Sequence, residues 1–460
     1  MPVLAQLAAQ VLRIEAGALS PAALSAAKHG IIDTVAVTLA GIGEPCARIA
    51  LGTAGIAQAP GPCLVFGTEV RTSALDATFV NGVASHALDY DDFSGAFGGH
   101  QSVPILPALF ALAEARQLSG PELLLSYLVG VEVEIRLARC VHYHHYDKGW
   151  HPTATLGTVG AAAAAGHLLV LDADGLTMAL AIAPSLSAGL KANFGTMTKP
   201  LHVGQCGRNG LLAALLAEGG FDANPEVMEH HQGFFNVFNG PDRFDPAPLL
   251  EDWRPPFEIE APTIALKQFP CCGSTHPAIA LMLALAREED IAADQVARID
   301  ILPHGRRLRH TNTPDPTTAL EAKFSVQYVV ARALLDGAVR LGDFEAGRIA
   351  EGEIQRLLSV TSARPHPELA DDGPAQWGAE VRVTLNDGRE VSRRTEHLIG
   401  RGGDDPMNRD EMWEKFLDCG GRVLAEDRLA ALFDALWGIE DVRDINQITG
   451  LMEAQGRRTQ

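Results

Sequence analysis

The chain has 460 residues and carries 37 Lys and Arg against 57 Asp and Glu, which gives a formal net charge of −20 at pH 7. It is 47% apolar and 6% aromatic, a composition typical of a soluble globular protein of two or three domains. A protein that neutralises phosphates needs a basic face, so this charge argues against nucleic acid or an anionic membrane surface as a partner. An acidic small molecule would have to meet a local cluster of cations.

The cysteines do not follow the pattern of a disulfide framework. They are odd in number and scattered through a long chain, which favours a reducing, cytoplasmic compartment; they are Cys46, Cys63, Cys140, Cys206, Cys271, Cys272 and Cys419. Residues 1–17 lack the basic start and apolar core of a secretory signal and predict an amphipathic helix. The stretch from Ala154 to Leu171 reaches membrane-spanning length, but His167 and the missing basic flank favour a buried helix.

Helical periodicity dominates the first half of the chain. From Ala22 to about Leu216, Ala and Leu recur at helical spacing, with Gly and Pro between the runs. Ser20-Pro21 predicts a capped helix start, and Gly120-Pro121-Glu122 predicts another. The run from Leu123 to Tyr146 carries few charges before its His-rich end. These features predict an all-helical, largely buried bundle.

The pattern changes after Trp253, where Pro255-Pro256 interrupts the chain. Residues 297–305 alternate as a strand does, residues 378–394 form a hairpin signal around Asn386-Asp387-Gly388, and residues 322–335 and 352–360 predict helices. Residues 409–452 return to helical spacing. We therefore predict a mainly α fold: a large helical domain built from both chain ends, residues 1–261 and 397–460, with a smaller inserted α/β lid domain, residues 262–396.

Four segments concentrate reactive side chains next to Gly or Pro, where polar groups are presented at loops and helix ends. The first is SHALDYDDFSGAFGGH, with His86, Asp89, Asp91, Asp92 and His100. Its carboxylates repel one another unless they meet cations or a metal. A calcium loop would need an oxygen ligand where Phe93 stands, so that interpretation is poor. Alternatively, Asp91 and Asp92 cap the next turn.

The second segment, HYHHYDKGWHPTATLG, is rich in histidine: His142, His144, His145 and His151. A zinc site is one hypothesis, but no familiar ligand spacing is present and the cysteines lie elsewhere. We therefore predict no metal. For His151, a capping or packing role before Pro152 competes with a functional one.

In the third segment, NFGTMTKPLHVGQCGRNG, the cationic candidates Lys199, His202 and Arg208 lie within ten residues, among several glycines. Pro200 disfavours helical geometry in the residue before it, so we expect Lys199 at an exposed bend. A lone lysine is usually just solvated, but a compact cationic patch in an acidic chain suits an anion. The glycines match neither a Walker loop nor a dinucleotide fingerprint.

The fourth segment, KQFPCCGSTHPAIAL, contains Lys267, Cys271, Cys272 and His276 before an apolar helix. Ser274 and Thr275 resemble helix caps, which would place His276 at a helix N-terminus, where the imidazole stays neutral and can act as a base. The paired cysteines could form a redox switch, but we favour the interpretation that they are buried bystanders. A fifth, weaker set lies in EAKFSVQY: Glu321, Lys323, Ser325 and Tyr328.

This combination of histidines, a lysine and an aspartate suits removal of a proton next to a carboxylate. The carbanion that forms pushes charge onto the carboxylate oxygens, so cationic groups must surround them, and a histidine tuned near neutral pH can take the proton. A second group can then protonate a leaving hydroxyl, return the proton from the other face, or quench the carbanion left by lost CO2.

At these same segments the sequence resembles the MmgE/PrpD family, which includes 2-methylcitrate dehydratases, cis-aconitate decarboxylases and an iminodisuccinate epimerase. The resemblance runs nearly end to end. It is carried by NGVASHALDYDD (81–92), GWHPTATLGTVGAAAAAG (149–166), GTMTKPLHVG (195–204), KQFPCCGSTH (267–276) and EAKFSVQYVVARALLDG (321–337).

The resemblance implies a cofactor-free homodimer whose pocket lies between a helical domain and an α/β lid. It implies active-site groups at Asp89, His100, His151, Lys199 and His276 and, more weakly, at Tyr328. We predict that Tyr328 binds substrate together with His202 and Lys267. We interpret Lys199 and His276 as the proton-handling or carboxylate-binding pair. By the same resemblance His151 and His100 complete the anion pocket, and Asp89 orients one of them.

Departures from the family pattern bear on the reaction. Decarboxylases of this family tend to have Thr where Phe93 stands and His-Pro-Ser where this chain has His100-Gln101-Ser102. The loop from Asp92 to His100 is also longer and closer to the epimerase. These departures argue against decarboxylation, and dehydration is the more familiar activity of the family. We therefore predict a 2-methylcitrate-dehydratase-like hydro-lyase first, an iminodisuccinate-epimerase-like enzyme second and a cis-aconitate-type decarboxylase third. A catalytically silent binding protein and a metal-dependent hydrolase are the alternatives of other classes.

Overall fold

The chain folds as two units in the computed structural model, which describes residues 1–15, 17, 19–251, 253–369, 378–396, 401–402 and 405–454. Unit 1 comprises residues 1–266 and 402–460, and unit 2 comprises residues 267–401. The fold is mainly α with a small α/β part, so the predicted fold class is confirmed.

Helices make up most of the first stretch of unit 1. They are α1 (Val3–Val11), α2 (Pro21–Gly41), α3 (Pro45–Gly52), α4 (Ala74–His86), α5 (Leu106–Arg116), α6 (Gly120–Asp147), α7 (Pro152–Thr155), α8 (Gly157–Leu168), α9 (Ala173–Ile182), α10 (Thr198–Glu218), α11 (Phe234–Asn239) and α12 (Ala247–Leu250). Two short antiparallel pairs accompany them: β1 (Pro60–Leu64) with β2 (Arg71–Thr72), and β3 (Phe93–Ser94) with β4 (Ile264–Leu266).

Two of the predicted helix starts are confirmed together with their capping chemistry. The Ser20 side chain accepts the backbone N–H of Ala23 at 3.0 Å, and Pro21 is the first residue of α2. At the start of α6, the Glu122 carboxylate accepts the backbone N–H of Ser119 at 2.8 Å, which forms a capping box. These contacts satisfy backbone donors that a helix N-terminus leaves without intrahelical partners.

The apolar stretch from Ala154 to Leu171 forms α7 and α8, and most of its side chains are buried inside unit 1, as predicted. Helix α8 packs against α6 and α10, and α10 packs against α4. Among the described residues, no helix by itself has the length and apolar composition to cross a membrane. The bent pair α2 and α3 passes that test only when its two helices are taken together.

Unit 2 packs helices against one face of a small sheet. The helices are α13 (His276–Glu288), α14 (Gly305–Leu308), α15 (Ala319–Lys323), α16 (Val326–Asp336), α17 (Ala346–Ile349) and α18 (Gly352–Ser359). The sheet has the order β6-β5-β7-β8, with β5 (Val296–Pro303), β6 (Thr361–Ala363), β7 (Ala379–Leu385) and β8 (Glu390–Thr395). The predicted strand, hairpin and second helix are confirmed by β5, by β7 with β8, and by α18.

One predicted helix of unit 2, residues 322–335, is in fact two. Helix α15 ends at Lys323 and α16 begins at Val326, because the Ser325 side chain caps the start of the second helix. Its oxygen accepts the Tyr328 N–H at 3.0 Å. A side chain that bonds to nearby backbone competes with continued helix, and the break follows from that competition.

After β9 (Arg401–Gly402), which lies at the boundary of the two units, the chain returns to unit 1. It forms α19 (Arg409–Gly420), α20 (Glu426–Trp437) and α21 (Asn446–Met452), and the predicted helical tail is confirmed. Helix α19 packs against α2, which joins the two ends of the chain in one core. All seven cysteines carry free thiols.

Candidate active site

The polar side chains of unit 1 gather at the loop that follows α4. His86 is the last residue of α4, and Asp89 follows it with a left-handed backbone, φ +53°. Aspartate tolerates this region better than most residues. The turn directs the chain so that Asp91, buried completely, lies against the imidazoles of His86 and His100.

Asp91 is held between two histidines. His86 donates Nδ1–H to Asp91 Oδ2 at 2.8 Å, and His100 Nδ1 lies 2.9 Å from the same oxygen. Burial opposes ionisation of Asp91, but the two imidazoles outweigh it and hold the pKa of this carboxyl below its usual range. Asp91 is therefore ionised, and each histidine turns Nδ1 toward it. The second nitrogen of His100, Nε2, faces Asp89 at 3.6 Å.

Lys199 supplies the cation of this cluster. Its Nζ donates to Asp89 Oδ1 at 2.5 Å and lies 5.3 Å from the ring centre of Phe194. The expectation of an exposed bend is wrong, because Lys199 is the second residue of α10 and its side chain is largely buried. Pro200 occurs in the first turn, where a proline removes no intrahelical hydrogen bond. The helix can therefore begin before it.

His151 and His202 extend the cluster next to Phe194. Their Nδ1 atoms lie 3.2 Å apart, and the His151 ring lies 4.9 Å from Phe194 and 6.1 Å from His86. Burial lowers the pKa of His151 well below its usual value, with nearby cationic groups adding to the effect, and burial also lowers the pKa of His202. Both imidazoles are neutral near pH 7, so one donates and the other accepts. His151 stands at the N-cap position of α7, but its side chain does not cap that helix.

His145, from the His-rich second segment, has a structural role. His145 Nδ1 lies 2.8 Å from Asn239 Oδ1, and its Nε2 lies 2.7 Å from the Thr155 hydroxyl. The ring also stacks near Trp150 and Phe238. His145 is therefore a packed and hydrogen-bonded core residue. The side chain of His142 lies outside what the structure describes.

Among the described residues, one group of side chains has the composition and spacing of a metal site: His86, Asp89, Asp91 and His100, with ligand atoms within 4.8 Å of one another. Its carboxylates already have partners, since Asp89 contacts the Lys199 ammonium and Asp91 contacts two imidazoles. A divalent cation would have to compete with that ammonium for Asp89. The absence of a metal remains a prediction.

The buried histidines make stability depend on pH. Burial lowers the pKa of His86 and of His145 to about 4, from 6.5 in the unfolded chain. Between these values the unfolded state binds more protons, so the free energy of unfolding falls as the pH is lowered through this window. From pH 7 to pH 5, each such histidine lowers it by about 2 kcal/mol.

The His145→Gln variant tests this prediction by urea unfolding at pH 7 and pH 5. The variant is expected to lose about 2 kcal/mol less stability than wild type over that interval. Burial raises the pKa of Asp92 and Glu134 well above the usual range, and both carboxyls titrate in both proteins, so they cancel in the comparison. An equal loss in the two proteins would contradict the lowered pKa of His145.

Candidate residues of unit 2 lie around the start of α13. His276 is the first residue of that helix, as predicted, and is buried, with Nε2 3.3 Å from the Cys271 carbonyl oxygen. The expectation that Ser274 and Thr275 cap the helix is wrong. A 3₁₀ turn leads directly into α13, so the Thr275 hydroxyl donates to the Cys272 carbonyl at 2.7 Å, and Ser274 Oγ lies 3.0 Å from His310 Nε2.

Lys267, Cys271 and Tyr328 of unit 2 are buried as well. Lys267 is 4% exposed, and Tyr328 is fully buried in the unit 2 core, where its hydroxyl donates to the Asp343 carbonyl oxygen and accepts from Arg332. Burial raises the pKa of the Cys271 thiol to about 12, so this sulfur is a poor nucleophile at neutral pH, consistent with a bystander role. Roles for His276, Lys267 and Tyr328 remain predictions.

Residue-by-residue reasoning missed two members of the cluster. His86 and Asp91 were noted in the first segment but not selected, although together they hold His100. The signal was present, because adjacent carboxylates need cationic or hydrogen-bonding partners and His86 lies only five residues before Asp91. Asp91 and Asp92 do not serve as caps: the carboxylate of Asp92 accepts from Ser102 at 2.5 Å.

Comparison with known proteins gives matches along most of the chain. The MmgE/PrpD N-terminal domain matches residues 5–247, and the MmgE/PrpD C-terminal domain matches residues 269–438. Cis-aconitate decarboxylase of Homo sapiens is 31% identical over 457 residues, covering 96% of this chain and 92% of that protein. The Mus musculus enzyme of that name is 30% identical over 93% of this chain and 88% of its own. Cis-aconitate decarboxylase of Aspergillus terreus is 27% identical, and the match covers 93% of this chain and 91% of that protein.

Proposed function

The chain belongs to the MmgE/PrpD family, and from that premise we propose that it is a cofactor-independent lyase for small di- or tricarboxylic acids. The reaction begins with proton transfer at a carbon next to a carboxylate. Our first candidate is loss of water from a hydroxy acid of the 2-methylcitrate type. The observation that carries the proposal is the linked set Lys199, Asp89, His100, Asp91 and His86, in which a cation and a carboxylate-supported imidazole lie side by side.

In this proposal His100 is the base. Its Nδ1 lies 2.9 Å from the ionised Asp91. We assign the proton of the neutral ring to Nδ1, which leaves the lone pair on Nε2 available to the substrate. The Asp91 carboxylate stabilises the imidazolium that forms when His100 takes a proton. His86, bonded to the same carboxylate, fixes its orientation.

Lys199 binds the substrate carboxylate next to the reacting carbon. When the proton leaves, negative charge moves onto those oxygens, and a fixed ammonium stabilises it more strongly in the transition state than in the ground state. Asp89 holds the ammonium in place until the substrate arrives. His151 and His202, neutral in the empty site, gain protons more readily beside a bound anion and complete the anion pocket. For His276, Lys267 and Tyr328 of unit 2, a role in catalysis or substrate binding is implied by the family resemblance alone.

A second candidate is decarboxylation of cis-aconitate. It is favoured by the relatives, which are named cis-aconitate decarboxylases and match this chain over nearly their full length. The same groups would serve it with the proton moving in the opposite direction. Loss of CO2 leaves a carbanion conjugated to a carboxylate, Lys199 stabilises its charge, and an imidazolium donates the proton. Phe93 and Gln101, which depart from the pattern of decarboxylases, argue against this candidate.

Proton NMR in heavy water distinguishes the reactions. The purified enzyme is incubated with C4 to C7 polycarboxylates, including 2-methylcitrate and cis-aconitate. We expect a new alkene signal from a hydroxy acid. If cis-aconitate instead loses CO2, the enzyme is a decarboxylase and the dehydration candidate is wrong. Deuterium exchange with scrambling of a stereocentre and no alkene would indicate an epimerase.

The controls separate this chemistry from other classes. The His100→Asn variant keeps a polar side chain without a base and is expected to lose the signal. Elemental analysis of protein purified without chelator tests the metal-free account, which stoichiometric zinc or iron would overturn. A folded protein that changes no compound in the panel would favour the catalytically silent binding protein.

A further inference from the structure

A buried ion pair joins the two ends of the chain beside the candidate site. Asp33 lies in α2 and Lys415 in α19, and Lys415 Nζ lies 2.5 Å from Asp33 Oδ1. Both side chains are almost completely buried. Two charges removed from water are costly unless their remaining hydrogen-bonding capacity is also used.

Lys415 and Asp33 each make a further hydrogen bond to the backbone of the loop that carries the candidate catalytic groups. Lys415 Nζ donates to the carbonyl oxygen of Tyr90 at 2.9 Å and lies 3.9 Å from the centre of the Tyr90 ring. Asp33 Oδ2 accepts the backbone N–H of Asp92 at 3.0 Å. Tyr90 and Asp92 are the neighbours of Asp91, so the ion pair fixes the backbone on both sides of this residue.

The loop needs such external support. Asp89, immediately before Tyr90, has a left-handed backbone conformation, which costs some free energy even for aspartate and must be offset by contacts around it. On the far side, Asp92 is fixed by Ser102, whose hydroxyl also lies 2.5 Å from the hydroxyl of Tyr127. The Lys415 contact is thus next to the left-handed residue Asp89.

The charge of Lys415 matters beyond its hydrogen bond. Burial raises the pKa of both Asp33 and Asp92, and Lys415 opposes this at each of them. The pKa of Asp92 is raised further by Asp33 and, less strongly, by Asp91, and Asp91 also raises the pKa of Asp33. The neutral thiol of Cys419, with its pKa raised by burial, faces Lys415 from the same helix. Without the ammonium, three buried carboxyls would face one another with less compensation, and the loop would have to rearrange.

We propose that Lys415 and Asp33 are positioning residues of the site, which set the place of Asp91 and through it the orientation of His86 and His100. Their role in turnover rests on the proposed function. Lys415 contacts the loop backbone and Asp33, and its effect on His100 passes through Asp91.

The Lys415→Met variant tests this, because methionine keeps the length and apolar body of the side chain without the charge. We expect kcat to fall about 10-fold to 100-fold with a small change in KM, as for other residues that orient a catalytic group. The pH dependence of kcat/KM is expected to change as well, because the Asp91 carboxylate, in contact with His86 and His100, moves within the site. Asp33→Asn should give the same direction of change, and the double variant should be no worse than the poorer single variant.

The matched control is Arg136→Met, which breaks the buried Arg136–Glu132 ion pair within α6, with Nε and Oε1 2.6 Å apart. It should lower Tm but leave the pH profile of the folded enzyme unchanged. If Lys415→Met behaves like this control, the positioning role is overturned. Should Lys415→Met fail to fold, Asp33→Asn carries the same comparison, because an asparagine still accepts from the Asp92 N–H.

A second measurement is independent of turnover. Histidine ring nitrogens are observed by ¹⁵N-edited NMR in wild type and in the Lys415 variant, with His86→Gln and His100→Asn used for assignment. A shift of the His86 and His100 signals in Lys415→Met supports positioning, and unshifted signals overturn it. If the wild-type enzyme turns over none of the polycarboxylates, the proposed function fails while this measurement still decides the role of Lys415.

Discussion

Replacing Lys199 with methionine is expected to lower kcat/KM for the substrate by about a thousandfold. The variant removes the ammonium that contacts Asp89 and stands beside His100, and with it the charge that opposes the growing negative charge of the substrate carboxylate. The loss should fall on kcat as well as on KM, because the interaction strengthens in the transition state. Steady-state kinetics with the substrate found by NMR measures both.

Lys191→Met is the matched control for this variant. Lys191 is also partly buried and lies on the stretch before α10, but its ammonium donates to the Tyr146 carbonyl oxygen at 2.8 Å and covers the Tyr146 ring. Its removal should leave kcat/KM within a few-fold of wild type. A Lys199 variant that retained activity at the level of the Lys191 variant would contradict the role given to Lys199. Tm of both variants establishes that they are folded.

The second large effect is expected from Gly204→Ala, which should lower the free energy of unfolding by about 3 kcal/mol. Helices α4 and α10 approach so closely that a Cβ at Gly204 would lie 2.3 Å from the Phe79 carbonyl oxygen and 3.0 Å from the Val83 nitrogen. Backbone atoms cannot move aside as side chains do, so α10 must shift. Activity should fall too, because Lys199 and His202 lie in the first turns of α10.

Gly450→Ala provides the control in the same unit. Gly450 lies in α21, and no atom comes within 4 Å of a Cβ placed there. Alanine should be neutral or slightly stabilising at this position, because it costs less backbone entropy in a helix. Urea unfolding of both variants decides the matter, and equal stability of the two would show that the α4–α10 contact tolerates a methyl group.

Local signals gave most of the helices and the hairpin, because capping and periodicity act between residues close in sequence. Ser20 accepts a hydrogen bond from Ala23, only three residues on, and the turn at Asn386-Asp387-Gly388 joins two adjacent strands. The same local reasoning failed where position within an element mattered. Pro200 was expected to exclude Lys199 from a helix, yet both residues lie in the first turn of α10.

The candidate site was predictable only in part. The residues Asp89, His100, His151 and Lys199 were selected through the family resemblance, and the structure brings them together within unit 1. The contact between Lys415 and Tyr90 had no sequence signal, because it joins residues 325 positions apart. The sequence around a lysine in an amphipathic helix is the same whether that lysine faces solvent or a buried carboxylate, so the pattern could not identify Lys415.

The link between α2 and α19 also has a consequence for biosynthesis. Asp33 and the loop around Asp91 leave the ribosome long before residues 409–420, so a nascent unit 1 contains buried acids whose counter-ion has not yet been translated. If the loop needs Lys415, as we propose, it reaches its final place only when α19 docks. The candidate site would then be completed late in synthesis, and a chain stopped before α19 would be expected to form many of its helices without an ordered loop around Asp91.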